Sequence, residues 1–147
     1  MKKIKMMIVA LVCLTMQSVN CFAGNELVSA TELPTPAIEF LAQHFGEFDI
    51  TTVEKSKVGM RTQYIVTMND GTAVTFKKNG RWQKVNSVES GVPSQLVPES
   101  VATYVSHNYP GKKIMQITQN MMGYDVELSN HVELSFNQST SFYGMNY

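Results

Sequence analysis

Cysteine is nearly absent from this chain, and where it occurs it does not serve the fold. Of 147 residues only Cys13 and Cys21 are cysteines, both ahead of Ala23, so the remaining sequence can form no disulfide, thiol nucleophile or thiolate metal site. Burial of apolar surface has to carry the stability. Histidine is limited to His44, His107 and His131, which show no His-x-x-x-His spacing and fall on two expected helices and one turn, so no metal centre is expected. The sequence also lacks a Gly-x-Ser-x-Gly elbow, a phosphate-cradling glycine loop and a Ser-x-x-Lys pair. Neither catalysis nor a cofactor is expected from it. An excess of basic charge is missing too: without Lys2, Lys3 and Lys5 the balance is 9 basic to 12 acidic residues, or −3. A net charge of that sign argues against nucleic acid and anionic membrane surfaces as partners.

What is present begins with an export signal. Met1-Lys2-Lys3-Ile4-Lys5 is a basic start, Met6 to Met16 is an apolar run broken only by Thr15, and Cys21 and Ala23 occupy the −3 and −1 positions of a cut after Ala23. The apolar run is too short to span a bilayer as a helix. Asn20 is large and polar where a lipoprotein signal has a small residue, which disfavours a lipid on Cys21. The chain from Gly24 on is therefore expected in the periplasm or outside the cell, as one compact body with no membrane span.

The second positive feature is an internal repeat. An offset of 64 residues places Pro34 on Pro98, Phe40 on Tyr104, Leu41 on Val105, Phe45 on Tyr109 and Val53 on Ile117. An offset of 60 then places Tyr64 on Tyr124, Val66 on Val126, Val74 on Leu134, Phe76 on Phe136 and Trp82 on Phe142. The change of four residues falls around Ser56 to Arg61. A period this long is a duplicated half-domain rather than a solenoid unit.

Each copy opens with a helix. Thr35 is read as a cap and Pro36 suits the first turn, while Ala37, Phe40, Leu41 and Phe45 form one apolar stripe ending at Gly46. Val101, Tyr104, Val105 and Tyr109 repeat the spacing after Pro98, up to Pro110-Gly111. Strands follow: Ile50 to Lys55, then Tyr64 to Met68 and Thr72 to Phe76 around Asn69-Asp70-Gly71, then a strand near Trp82 after Asn79-Gly80. The second copy repeats them with a turn at Asn130-His131. The expected fold is α+β, two α-β-β-β-β repeats whose helices pack on one face of an antiparallel sheet of about eight strands. Residues 24–32 read as a loose terminus, 33–86 as the first repeat, 87–96 as a connector and 97–147 as the second repeat.

A signal, a helix entered through Pro, the strand Tyr64-x-Val66-x-Met68, the turn Asn69-Asp70-Gly71 and a strand leading to Asn79-Gly80-Arg81-Trp82, all duplicated, resemble the PepSY-like, β-lactamase-inhibitor-like family. The resemblance runs from Leu33 to about Tyr147. The second copy departs from it, with Asn130-His131 and Ser139-Thr140 in place of the glycine turns. What the resemblance implies is an exported domain whose helices back a sheet, similar to inhibitors that clamp an enzyme against a concave sheet, with no catalytic residues.

Function is expected on the sheet face away from the helices. Strand alternation puts Thr67 and Thr75 there in the first copy and Asp125, Glu127 and Glu133 in the second. Such a face suits a non-enzymatic binding protein, inhibitor-like toward a protein partner, or alternatively a carrier that takes a small ligand or cation on the acids. Asp70 at a hairpin tip is a further candidate contact, with good turn chemistry as the plainer reading. Lys77, Lys78, Arg81 and Lys84 make the first copy locally positive. Tyr143 and Tyr147 fall outside the matched pattern and would suit a protein-binding surface if exposed.

Overall fold

The computed structural model describes residues 24–146; the segment expected to be a signal, and Tyr147, lie outside the described residues. In chain order the elements are β1 (Asn25–Leu27), a 3-10 turn (Ala30–Glu32), α1 (Thr35–Phe45), β2 (Ile50–Val58), β3 (Arg61–Met68), β4 (Ala73–Lys77) and β5 (Trp82–Asn86). A 3-10 turn (Ser94–Leu96), α2 (Glu99–Asn108), β6 (Ile114–Gln119), β7 (Gly123–Leu128), β8 (Glu133–Asn137) and β9 (Phe142–Asn146) complete it. The chain is α+β: the nine strands form one open antiparallel sheet in the order of the sequence, with both helices against it.

Nine strands are present rather than about eight because Asn25–Leu27, in the segment expected to be loose, pairs with Glu54–Ser56 of β2. The four-residue difference between the copies lies in the first hairpin. Val53 pairs Val66 across β2 and β3, as Ile117 pairs Val126 across β6 and β7, but the first hairpin continues for Lys57↔Thr62 and Val58↔Arg61 before it turns. Strand β1 itself pairs Glu54–Ser56, along the edge of β2 that in the second copy, on β6, is taken by β5.

The first helix begins one residue earlier than expected, and the second opens at Pro98 as expected. Pro34 and Pro98 occupy the capping positions, and the Pro34 carbonyl already accepts the N–H groups of Ala37 and Ile38, so Thr35 lies inside the first turn rather than capping it. Proline offers no side-chain cap, but its fixed φ sets the chain for helix entry. One face of each helix is buried: Ala37, Leu41 and Phe45 in α1, Val101 and Val105 in α2.

Beneath the helices lies a single core. Val53, Val66, Val74, Val85, Ile117, Val126 and Leu134 form a continuous cross-strand row, each at most 3% exposed. The two copies join at β5 and β6 through Val85↔Ile117, so they share one sheet and one core. An aromatic cluster recurs above it. Phe40 meets Phe76 edge-on at 5.5 Å and stacks on Trp82 at 6.0 Å, while Tyr104 meets Phe136 at 5.4 Å and stacks on Phe142 at 4.7 Å. Each such pair adds about 1 kcal/mol beyond the area it buries.

Candidate functional site

The helices cover one face of the sheet and leave the other bare. Its composition follows from strand pairing, because residues directly opposite one another share a face. One row runs Glu54, Ile65, Thr75, Lys84, Thr118, Asp125, Ser135 and Gly144 from β2 to β9. A second runs Thr52, Thr67, Ala73, Asn86, Gln116, Glu127, Glu133 and Asn146. The rows contain no aromatic residue and are dominated by short polar side chains. Their charge changes along the sheet, with Glu54 on β2, Lys84 near the middle and Asp125, Glu127 and Glu133 on β7 and β8.

The structure places Thr67, Thr75, Asp125, Glu127 and Glu133 on this face and brings only some of them together. Glu127 and Glu133 are direct cross-strand partners. Thr67 is four strands from Glu127, about 19 Å at the usual strand spacing. Asp125 is half-buried and fully engaged: Ser135 Oγ donates to its Oδ1 at 2.7 Å and Asn120 Nδ2 to its Oδ2 at 2.5 Å. Glu127 Oε1 lies 3.1 Å from Nδ1 of His131. Among the described residues no three His, Cys, Asp or Glu side chains converge as a metal site. Asp70 does not reach outward. Its carboxylate accepts the Thr72 N–H at 2.9 Å and the Thr72 hydroxyl at 2.7 Å, closing its own turn.

Sequence reading missed Asn86, Gln116 and Thr118, and saw Lys84 only as part of a local positive run, because the β5–β6 register that makes them the centre of the face spans α2 and no local pattern fixes it. His131 was legible as a turn residue, but not as a neighbour of Glu127. Trp82 and Phe142 are packing residues at equivalent positions over the core, and Tyr143 is exposed on the last strand. On the helix side a shallow, open groove of about 670 Å³ runs along α2, lined by Glu99, Ser100, Thr103, Tyr104, His107 and Asn108. It gathers a single carboxylate and encloses nothing.

A duplicated helix-and-four-strand unit, fused into one open sheet with a bare polar face, defines a class of helix-backed sheet domains. Within that class the chain belongs to the PepSY-like family, described as "Putative beta-lactamase-inhibitor-like, PepSY-like", whose pattern matches residues 62–143. No enzymatic family is indicated. The fold is similar to that of a putative calcium-regulated periplasmic protein of Bacteroides thetaiotaomicron, with 28% identity, a TM-score of 0.80, and 84% of this chain and 97% of the other covered. It is equally similar to a putative periplasmic protein of unknown function from Bacteroides vulgatus, with 28% identity, a TM-score of 0.81, and 84% and 100% covered. No protein of curated function matches the chain. Among the described residues no helix is long and apolar enough to cross a membrane.

Proposed function

We propose that this chain is a non-enzymatic binding protein of the periplasm or the secreted fraction, exported by a cleaved signal and taking a protein partner against the open face of its sheet. The observation that carries the reading is the bare polar face itself, which runs from β2 to β9 with Glu127 beside Glu133 at one side. Strands of about five residues at the usual spacing make it roughly 40 Å by 17 Å. That is close to the ~800 Å² each partner buries in a standard interface. The acids would meet a basic partner, setting register and association rate more than affinity. The family resemblance to β-lactamase inhibitors supports a clamp of this kind.

The test is affinity capture on immobilised chain beginning at Gly24, with the variant Asp125→Asn, Glu127→Gln, Glu133→Gln alongside a helix-face variant, Glu39→Gln, Glu99→Gln. A partner held by wild type and by the helix-face variant, but lost from the open-face variant, is the expected result. Retention by the open-face variant would refute the placement. A cation is the second reading, favoured by the paired Glu127 and Glu133 and by the calcium-regulated relative. A rise in melting temperature with calcium that the open-face variant lacks would establish it.

A further inference from the structure

The two ends of the sheet carry opposite charge. Since neighbouring strands are antiparallel and follow sequence order, the β2–β3, β4–β5, β6–β7 and β8–β9 turns all lie at one end. Residues 57–62, 77–82, 120–123 and 137–142 form its turns, with Lys57, Arg61, Lys77, Lys78 and Arg81 and no Asp or Glu, and the start of α2, where Ser100 bonds Thr140, adds Glu99. All five cations are exposed, and among the described residues none has a carboxylate at ion-pair distance. The other end carries Glu47, Asp49, Asp70, Glu89 and Glu133 against Lys112 and Lys113. The net −3 of the residues from Gly24 on conceals this separation.

Apolar side chains stand among the cations. At the β2–β3 tip Met60 is 104% exposed and Val58 61%, and at the equivalent β6–β7 tip Met121 is 85% and Met122 68% exposed. Single exposed apolar residues need no explanation, but their recurrence at equivalent tips, on either side of Lys77, Lys78 and Arg81, does. The two tips are shaped by different means. Gly59 supplies a left-handed residue at φ +62 in the first, while Asn120 Oδ1 accepts the N–H groups of Met122 and Gly123 at 2.7 and 2.8 Å in the second. Different turns thus present the same side chain.

A third observation concerns the entry of the chain. The Gly24 carbonyl accepts the Lys57 N–H at 3.1 Å, so the first described residue lies at this same end.

We infer that the hairpin-tip end docks on an anionic lipid surface, the methionine tips entering the headgroup and acyl boundary while the lysines and arginines meet lipid phosphates. A protein interface gathers its apolar residues into one packed centre. Here the two tips are separated by at least three strand spacings, about 14 Å, with cations between them. A fluid surface takes each tip separately, and amphipathic attachment of this kind combines apolar insertion with charge attraction. The open sheet face stands clear of the contact, so a partner and a membrane can be held together.

Vesicle co-sedimentation tests this with the chain beginning at Gly24, which carries the whole described fold. Binding to phosphatidylglycerol vesicles, none to phosphatidylcholine vesicles, and release at about 1 M salt, where the Debye length is about 3 Å, are expected. Each cation near such a surface is worth about a fivefold gain, so Lys77→Gln, Lys78→Gln, Arg81→Gln together should weaken binding about a hundredfold. Met60→Ser, Met121→Ser, Met122→Ser should weaken it roughly tenfold while leaving the salt dependence unchanged. All these residues are exposed, and an unaltered Trp82 emission confirms the fold in each variant. Equal binding to both vesicle types, or none to phosphatidylglycerol, overturns the inference and leaves the cations to an acidic protein.

Discussion

The two halves of this sheet reach the same geometry with different residues, and the positions where they differ separate what the fold requires from what it tolerates. The β3–β4 turn of the first half uses Gly71 at φ +85, whereas its equivalent in the second half is His131 at φ +65. The β4–β5 turn uses Gly80 at φ +83, and its counterpart is Thr140 at φ +58. The left-handed conformation is thus imposed by the hairpin and not by glycine. Gly80 also sits where a Cβ would lie 3.0 to 3.1 Å from Pro34, Pro36 and Ala37. In the second half Ser100 replaces Pro36, and its hydroxyl hydrogen-bonds the Thr140 hydroxyl. A close backbone approach in one copy has become a polar side-chain contact in the other.

The sharpest way to break the comparison is through the core. Phe76→Ala and Phe136→Ala each remove a fully buried ring and should each cost about 3–5 kcal/mol. Because the halves share one core, either variant should unfold in a single transition, with far-ultraviolet and near-ultraviolet signals melting together. Two transitions would mean that the halves are independent. Next comes Gly123, at φ +147, where a Cβ would lie 2.0 Å from the Phe136 carbonyl oxygen. Gly123→Ala should cost about 3 kcal/mol, while Gln63→Ala at the equivalent position should change stability by less than about 0.5 kcal/mol, both read by urea denaturation.

The turns sharpen the comparison at smaller magnitude. His131→Gly should stabilise by up to about 1 kcal/mol, because a non-glycine residue in the left-handed region carries about that penalty. Gly80→Ala should destabilise by more than Gly71→Ala, since only Gly80 abuts a helix start, and paired thermal melts would show the order. The smallest effect belongs to Glu127→Gln. Its exposed contact with His131 should be worth no more than about 0.5 kcal/mol, so this substitution can probe binding without disturbing the fold.

Much of this architecture was legible in the sequence for a physical reason. Helix stripes and strand alternation are set by side-chain period, and a one-residue slip would have inverted every face. Asp125, Glu127 and Glu133 therefore could be placed beside one another on the bare face from alternation alone. Strand β1 was not legible, since Asn25-Glu26-Leu27 is too short to show a period and is specified by the extended edge of β2. The Thr35 cap failed because Pro34 supplies the first accepting carbonyl. For Asp70 the plainer reading, turn chemistry, describes its contacts, since Thr72, two residues on, takes both of its oxygens. The charge at the hairpin tips depends on which turns share an end, which only the strand order reveals.

That strand order has a kinetic consequence. Each strand pairs with its neighbours in sequence, and among the described residues only the β1–β2 and β5–β6 steps must close over a helix. The chain assembles through local contacts, which favours rapid folding, and no disulfide has to form first. The export proposed above would then leave a chain able to rebuild itself hairpin by hairpin.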